Sequence, residues 1–495
     1  MMWHPQVQRH KTAIRRSDLS KPIRLALEQG FLNSKAAFFD YGCGYGDDIQ
    51  RLAELGVKAT GWDPIHSPTT ERQPADIVNL GYVVNVIENP TERASVLQDA
   101  WSLATRLLVV SARLKVEAKN NFISFSDGCV TRRGTFQKFY DQQELGGWID
   151  QVLGIQSIAV APGVFFCFRD ADVRESFDAS RYRRLIRAPR VTASHNIFEE
   201  NRELFAPLIE FLTKRGRLPH DSEFHAVGQI RDRVGSLQRA YTIIRTITGA
   251  EHWDRIRAER SDDLLVYLAL SKFGGRPKHS ALPLDLQLDV RAFFGNYRRA
   301  RASGDELLFS AGNREVLRTA CDQSRIGKHL PDALYVHTSA LSELPAVLRV
   351  YEGCARAYIG SVEGANVVKL SIGKPQISYL CYPDFDTQGH PALIGSLTVP
   401  LDTFHIQYRD YSDSKNPFIL HRKEALVQAE HPYRQRFERL TKKEEKLGLY
   451  DNPSVIGTKA GWEEILKVKG LRQAGHRIMR LNNLILPSRS DLVSP

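Results

Sequence analysis

Apolar positions in the first 172 residues switch repeatedly between helical and strand rhythms, which predicts an α/β arrangement. Within 19–29, Ile23, Leu25, Ala26 and Leu27 mark a helix. Residues 36–40 form a short apolar strand, 48–55 an amphipathic helix that Gly56 stops, and 57–62 a second strand. A third strand follows at 75–80, a helix at 92–104 and a fourth strand at 106–111. Two apolar runs within 158–168, on either side of Pro162-Gly163, predict a hairpin.

The pattern then changes. Residues 173–278 are mostly helical, with Leu204, Phe205, Leu208, Ile209 and Leu212 on one face of a helix at 198–212. Gly216 to Pro219 breaks it, helices are expected at 222–234 and 236–248, and Gly274-Gly275-Arg276-Pro277 has linker composition. Residues 279–430 read as mixed, with a helix at 341–357 and strands at 366–371, 376–382 and 403–411. Residues 431–495 are charged and helical in pattern. The expected architecture is a Rossmann-like α/β sheet domain at 1–172, a helical domain at 173–278, a mixed α/β domain at 279–430 and a charged helical segment at 431–495.

Length fits this division: 495 residues accommodate two to four domains at roughly 100–200 residues each. The excess of 68 Lys+Arg over 57 Asp+Glu, +11 in all, tilts the choice of partner toward polyanions. No apolar run reaches the ~18–20 residues that span a bilayer, and the first 16 residues are polar and basic without the apolar core of a secretion signal. The six cysteines lie far apart with no C-x-x-C pair. They read as reduced thiols in a cytoplasm, with no disulfide framework and no zinc site.

Candidate chemistry concentrates in Asp40-Tyr41-Gly42-Cys43-Gly44-Tyr45-Gly46, between the first strand and the following helix. Glycine lacks Cβ and tolerates positive φ, so such a turn lets the backbone approach a ligand closely. The helix behind it offers free N–H groups and a positive dipole end. The tight D-x-G-x-G-x-G spacing resembles the first motif of class I S-adenosylmethionine-dependent methyltransferases, whereas a dinucleotide fingerprint would read G-x-G-x-x-G. The resemblance implies S-adenosylmethionine as cofactor, held by Asp40, Gly42, Gly44 and Gly46, with Cys43 packing inside the loop. It also implies an acidic residue at the end of the next strand to hold the ribose hydroxyls. Asp63 stands there, 21 residues past Gly42, and Trp62 is placed to lie beside the adenine. A standard fold of this class adds a helix and a strand before the third strand seen here. Pro64 to Pro74 leaves no room for both, and Asp76 is the nearest match in order for the residue that meets the adenine amino group.

Asn79-Leu80-Gly81-Tyr82 occupies the place where DNA amino-methyltransferases carry N-P-P-Y or D-P-P-Y. On the functional reading Asn79 accepts from a target amino group and Tyr82 stacks on a flipped base. On the plainer one they end a buried strand in a methyltransferase that does not act on bases. The polar insertion around Ser124–Thr135 offers Asp127 as a base, or is a solvated loop.

For nucleic acid, Arg181, Arg183, Arg184, Arg187 and Arg190 interleave with Tyr182, a composition that suits phosphate contact as well as a solvated face. Two short helices joined at Gly235-Ser236 form a candidate helix-turn-helix presenting Gln238, Arg239 and Arg245, or plain helical packing. Asp384, Asp386 and His390, and separately His421 to Glu424 with His431, are polar clusters that match no metal motif.

Taken together, the chain resembles the bacterial DNA phosphorothioation-associated putative methyltransferase family. The residues that carry this are Asp40–Gly46, Asn79–Val86, Thr135–Lys138, Ile326–Pro331, Tyr379–Asp386 and Ile419–Glu424. The resemblance implies a cytoplasmic methyltransferase acting on DNA, or on a protein partner in a DNA-modification and phage-defence system. Two other readings stay open: a cofactor-binding regulatory or scaffold module without transfer activity, and an RNA or small-molecule methyltransferase.

Overall fold

The computed structural model describes residues 7–118, 122–184, 198 and 200–481. The chain groups into two compact units, residues 1–313 with 346–363, and residues 314–345 with 364–495.

The first unit is built on a six-stranded sheet of β1 (Ala37–Tyr41), β2 (Lys58–Trp62), β3 (Ala75–Gly81), β4 (Ala104–Ser111), β8 (Ile158–Ala161) and β9 (Val164–Phe168), in the order β2-β1-β3-β4-β9-β8. The first four are parallel, and β9 runs antiparallel to β4. Successive side chains on a strand point to opposite faces. Phe39, Tyr41, Val78, Leu80, Leu108 and Val110 therefore face one layer, packing with α3 (Pro90–Leu103) and α4 (Gln142–Leu153). Phe38, Ile77, Leu107 and Val109 face the other, against α1 (Lys21–Glu28) and α2 (Asp47–Glu54). Both faces being covered explains why these strands read as continuous apolar runs.

Each element expected in this region is present within a residue or two. No strand or helix lies between Trp62 and Ala75, where the chain makes turns and an isolated bridge, Asp63 to Ser67. The sheet thus lacks the outer strand that a doubly wound order would place beyond β2. The polar insertion is not a plain loop: β5 (Ile123–Phe125), β6 (Gly128–Val130) and β7 (Phe136–Gln137) pair into a small antiparallel sheet.

The helical part of this unit follows, and four of its helices share one core. These are Arg202–Arg215, Val227–Val234, Leu237–Thr248 and the start of Ala250–Leu270. The helix expected from 222 begins only at Val227. Glu223 is held by Arg217 Nη2 at 2.7 Å and accepts from the His220 N–H at 3.0 Å, which fixes 220–224 as a turn.

The second unit carries an all-antiparallel sheet in chain order: β10 (Lys328–Leu330), β11 (Ala333–His337), β12 (Val367–Ser371), β13 (Gln376–Cys381), β14 (Gly395–Pro400) and β15 (Gln407–Asp410). The expectation that 431–495 is helical holds for Arg434–Lys446 and Lys459–Val468 but not for 471–480, and 482–495 lies outside the described residues. Leu471–Ala474 and Arg477–Arg480 form a hairpin, β16–β17, that turns at Gly475-His476. Its arginines hide a four-residue alternation in which Leu471 and Ile478 point into the core.

Candidate functional site

The chain leaves β1, runs outward to β2, then crosses to β3 on the other side, so a crevice opens at the carboxyl ends of β1 and β3. A cavity of about 320 Å³ lies there, within the ~300–1,000 Å³ range of small-molecule sites.

The glycine turn forms its floor. Gly42 and Cys43 N–H groups donate to the Trp62 carbonyl at 2.8 and 3.1 Å, tying the turn to the end of β2. Gly42 has φ +88°, and a Cβ there would meet Val83 Cγ2 at 2.5 Å. Both its conformation and its space exclude a side chain. Gly46, at φ +78° with open space around it, caps α2 and does not line the cavity.

Asp63 faces the turn from the end of β2. Its Oδ2 accepts from Gly44 N–H at 3.1 Å and its Oδ1 from Ile65 and His66 N–H at 2.9 and 2.8 Å. The carboxylate therefore braces the loop as well as lining the cavity, and Oδ2 keeps one lone pair for a further donor. Trp62 also lines it, with the Tyr41 ring edge-on at 5.3 Å and the Arg72 guanidinium over its ring at 4.9 Å.

Beneath the turn Asn79 Nδ2 donates to Asp40 Oδ1 at 2.7 Å. Asp40 is fully enclosed, and this burial pushes its carboxyl up to about 7 against the pull of the Asn79 bond. Asn79 Oδ1 is buried and has no hydrogen-bond partner among the described residues. A buried acceptor left open costs about 1–3 kcal/mol, so this atom marks where a donor is wanted. Cys43 lines the cavity too, but burial and the neighbouring carboxylates push its thiol up to about 12, which suits packing and not thiolate chemistry. Tyr82 holds φ +59°, its N–H donates to the Ser111 carbonyl at 2.9 Å, and its ring lines the cavity.

Sequence reasoning missed the opposite wall. Residues 9–16 pass over the cavity, contributing Arg9, Thr12, Ala13, Ile14 and Arg16. Arg9 is clamped by Glu88 and Glu92, with Nε to Glu88 Oε2 at 2.9 Å and Nη2 to Glu92 Oε2 at 2.7 Å. Arg15 and the Arg16 N–H both reach Asp47, at 3.0 and 2.7 Å, and the Arg16 guanidinium stands 5.6 Å from the Tyr82 ring centre. The stretch has no glycine signature and no periodicity. Its only signal was positive charge, matched by acids far along the chain.

Besides Gly46, two expected contributors lie outside the cavity. Asp76 is at the opposite, amino end of the sheet, where Oδ2 accepts from the Ala37 N–H at 2.9 Å. Asp127 sits in the β5–β6 turn, outside the cavity, bridged by Arg93 at 2.7 and 3.0 Å and by Lys138 at 3.0 Å. Those cations pull its carboxyl down to about 2, which leaves it a very weak base.

The arginine stretch turns inward. Arg181 Nη1 pairs with Asp178 at 3.2 Å, Arg184 Nε with Asp263 at 3.3 Å, and Arg183 lies 4.0 Å from Asp289. Asp263 is shared with Arg260 and Arg349, and Asp289 with Arg215 and Arg217. These groups form a partly buried ion-pair network and not an open phosphate-binding face. Arg187 lies outside the described residues. Arg239 is exposed on the helix Leu237–Thr248.

In the second unit His390 Nε2 meets Glu444 Oε1 at 2.7 Å, and Lys423 Nζ donates to the Phe385 and Gln388 carbonyls at 2.5 Å each. Among the described residues no three His, Cys, Asp or Glu side chains converge to hold a metal, and no helix is long and apolar enough to cross a membrane.

No protein-family model matches the chain, and no curated protein does either. Among solved structures, the 1,6-didemethyltoxoflavin-N1-methyltransferase of Burkholderia thailandensis, solved with S-adenosylhomocysteine, aligns at 12% identity and TM-score 0.22 over 30% of this chain and 78% of its own. A SAM-dependent methyltransferase from Aquifex aeolicus aligns at 15% identity and TM-score 0.22 over 30% of this chain and 88% of its own. Magnesium protoporphyrin IX methyltransferase of Synechocystis, also with S-adenosylhomocysteine, aligns at 15% identity and TM-score 0.21 over 33% and 93%.

Proposed function

We propose that the chain is an S-adenosylmethionine-dependent methyltransferase of a bacterial DNA phosphorothioation and phage-defence system, acting in the cytoplasm on DNA or on a protein of that system. One observation carries the cofactor reading. The glycine turn, Asp63, Asp40 and Asn79 all line one cavity at the switch point of a parallel-rich sheet, with Asp40 held by the Asn79 amide and Asp63 by the turn. These residues fit a ligand with a hydrogen-bond-donating cationic end and a hydroxylated sugar. Asn79 Oδ1 and Asp40 suit the first, and the remaining lone pair of Asp63 suits the second. Gly42, by its missing Cβ, lets that ligand lie against the backbone.

When bound, the cofactor would supply an electrophilic methyl on a sulfonium, open to in-line attack by an acceptor lone pair as the C–S bond breaks and the sulfur leaves as a neutral thioether. The protein's part is positional. Tyr82 and Arg16, adjacent at one wall, present an aromatic face and a cation to the acceptor.

Calorimetry with S-adenosylmethionine, followed by tritiated methyl transfer to DNA, RNA and cell lysate, tests the reading. Binding with label in DNA or in one lysate protein supports it. Label in RNA or a metabolite alone replaces it with the third reading given above. Cofactor heat without any labelled acceptor replaces it with a regulatory module, a reading favoured by Leu80-Gly81 standing where prolines are expected. Absence of cofactor heat overturns it.

A further inference from the structure

We propose that Val227–Val234, Gly235-Ser236 and Leu237–Thr248 form a helix-turn-helix that docks the second helix in the major groove of duplex DNA, with Gln238, Arg239 and Thr242 toward the bases and Arg233 on phosphate. This goes beyond the methyl-transfer reading and does not depend on it.

The inward half of the motif is built as a packing unit. Ile230 and Val234 of the first helix meet Ala240, Ile244 and Ile247 of the second in one core, with Phe205, Leu208 and Leu212 behind them. Gly235 turns the chain at φ +98°, and Ser236 Oγ caps the second helix by accepting from the Arg239 N–H at 3.1 Å. The two helices are thereby fixed in relation to each other without using any outward side chain.

The outward half has different chemistry. Gln238, Arg239, Thr242 and Thr246 are exposed, and the spacing 238, 242, 246 makes a single row along the helix. Thr242 Oγ1 donates to the Gln238 carbonyl at 2.9 Å and Thr246 Oγ1 to the Thr242 carbonyl at 2.8 Å. With both hydroxyls spent on their own helix, the threonines offer methyl groups. Arginine, glutamine and a threonine methyl are the side-chain groups that pair with guanine, adenine and the thymine methyl in the major groove.

Charge points the same way. Residues 227–248 hold four arginines (Arg231, Arg233, Arg239, Arg245) against one acid, Asp232. Arg231 lies 3.5 Å from Asp221 and Arg245 2.6 Å from Asp254. Arg233 and Arg239, on either side of the turn, have no carboxylate partner among the described residues. No large apolar side chain in 227–248 is exposed, and a protein-docking helix would need such an anchor. The deep, narrow major groove of A-form RNA does not admit a helix, whereas that of B-DNA, ~12 Å wide, does.

Fluorescence anisotropy of the full chain on a labelled duplex DNA of about two helical turns, without cofactor, tests this beside single-stranded DNA and duplex RNA of the same sequence. The expected result is preference for duplex DNA. Arg233→Ala/Arg239→Ala should weaken binding about tenfold or more, with the log K against log salt slope shallower by about 1 for the lost phosphate contact of Arg233. Thr242→Glu should weaken it as well, with melting temperatures of all variants unchanged. Selection from a randomised duplex pool should give a base preference that Gln238→Ala relaxes. Equal or tighter binding to single strands or duplex RNA, no binding to duplex DNA, or an unchanged salt slope in the double variant would overturn the proposal. Because cofactor calorimetry is read separately, loss of the methyltransferase reading leaves this outcome intact.

Discussion

Asn79 and Asp40 are register partners on adjacent parallel strands, and among the described residues the Asn79 amide gives the one hydrogen bond the buried Asp40 side chain receives. Burial outweighs that bond and lifts the carboxyl from an ordinary value near 3.8 to about 7 in the folded protein. Because the folded state holds the proton more tightly, its contribution to stability is complete below about pH 4 and is lost as pH rises through about 7. Asp40→Asn keeps the acceptor oxygen and removes the titration. In the cofactor-free protein the melting-temperature difference, variant minus wild type, should therefore grow between pH 5 and pH 8, by an amount on the order of a few kcal/mol in stability. Scanning calorimetry across that range reads it directly, and a flat difference would show that Asp40 is charged or solvated in the fold.

The glycine turn allows a sharper comparison. Gly42→Ala drives a Cβ to 2.5 Å from Val83 and also pays for φ +88°, whereas Gly46→Ala meets open space and bears only its φ of +78°. Left-handed backbone costs an ordinary residue roughly 1–2 kcal/mol, so Gly46→Ala should lose about that much stability. Gly42→Ala should lose more, and with it cofactor binding, because the floor of the cavity must move. Thermal melts and calorimetry of the two variants side by side check the ranking. Equal behaviour would mean that the turn is not close-packed on the strand-β3 side.

The sheet and this turn were readable from residues alone because local signals coincided there. Apolar runs of strand length alternate with helical rhythm, and glycine and aspartate sit at the junctions. Even the missing outer strand was visible, as a shortage of residues between Pro64 and Pro74. The wall at residues 9–16 was not readable, since Arg9 acquires meaning only from Glu88 and Glu92, some eighty positions away. The same reason explains Arg181 to Arg184. A run of like charge looks solvent-facing in sequence, and only the fold brings Asp263 and Asp289 to it. The β16–β17 hairpin escaped because four-residue strands carry too little alternation to outweigh their charges.

Asp63 has two duties in this site, and substitution separates them. Asp63→Ala strips charged acceptors from the Gly44, Ile65 and His66 N–H groups, each bond worth about 1.5–3 kcal/mol when the acceptor is ionised. Hydrogen exchange at those three amides should accelerate even without cofactor. Cofactor affinity should fall by roughly ten- to a hundredfold. Faster exchange with unchanged affinity would confine Asp63 to bracing the loop.

Asp127 is expected to matter for stability and not for proton transfer. Arg93 is almost fully buried, with a side chain 3% exposed, and it spends its guanidinium on Asp127 and on the Ile87 carbonyl. Asp127→Asn leaves that cation without its counter-charge, and because Asp127 is itself about a third exposed the loss should be near 1–3 kcal/mol. In the wild type this pair contributes fully above about pH 4 and is lost as pH falls toward 2, since the folded carboxyl lies below its ordinary value. The variant should melt lower at neutral pH, and its deficit should shrink on acidification between pH 4 and 2. Any methyl-transfer activity should keep the shape of its pH–rate profile, because a carboxylate held near 2 accepts no proton at working pH. A variant with normal melting but a flattened profile would instead return Asp127 to the reaction, and would require the β5–β6 turn to swing its carboxylate toward the cavity.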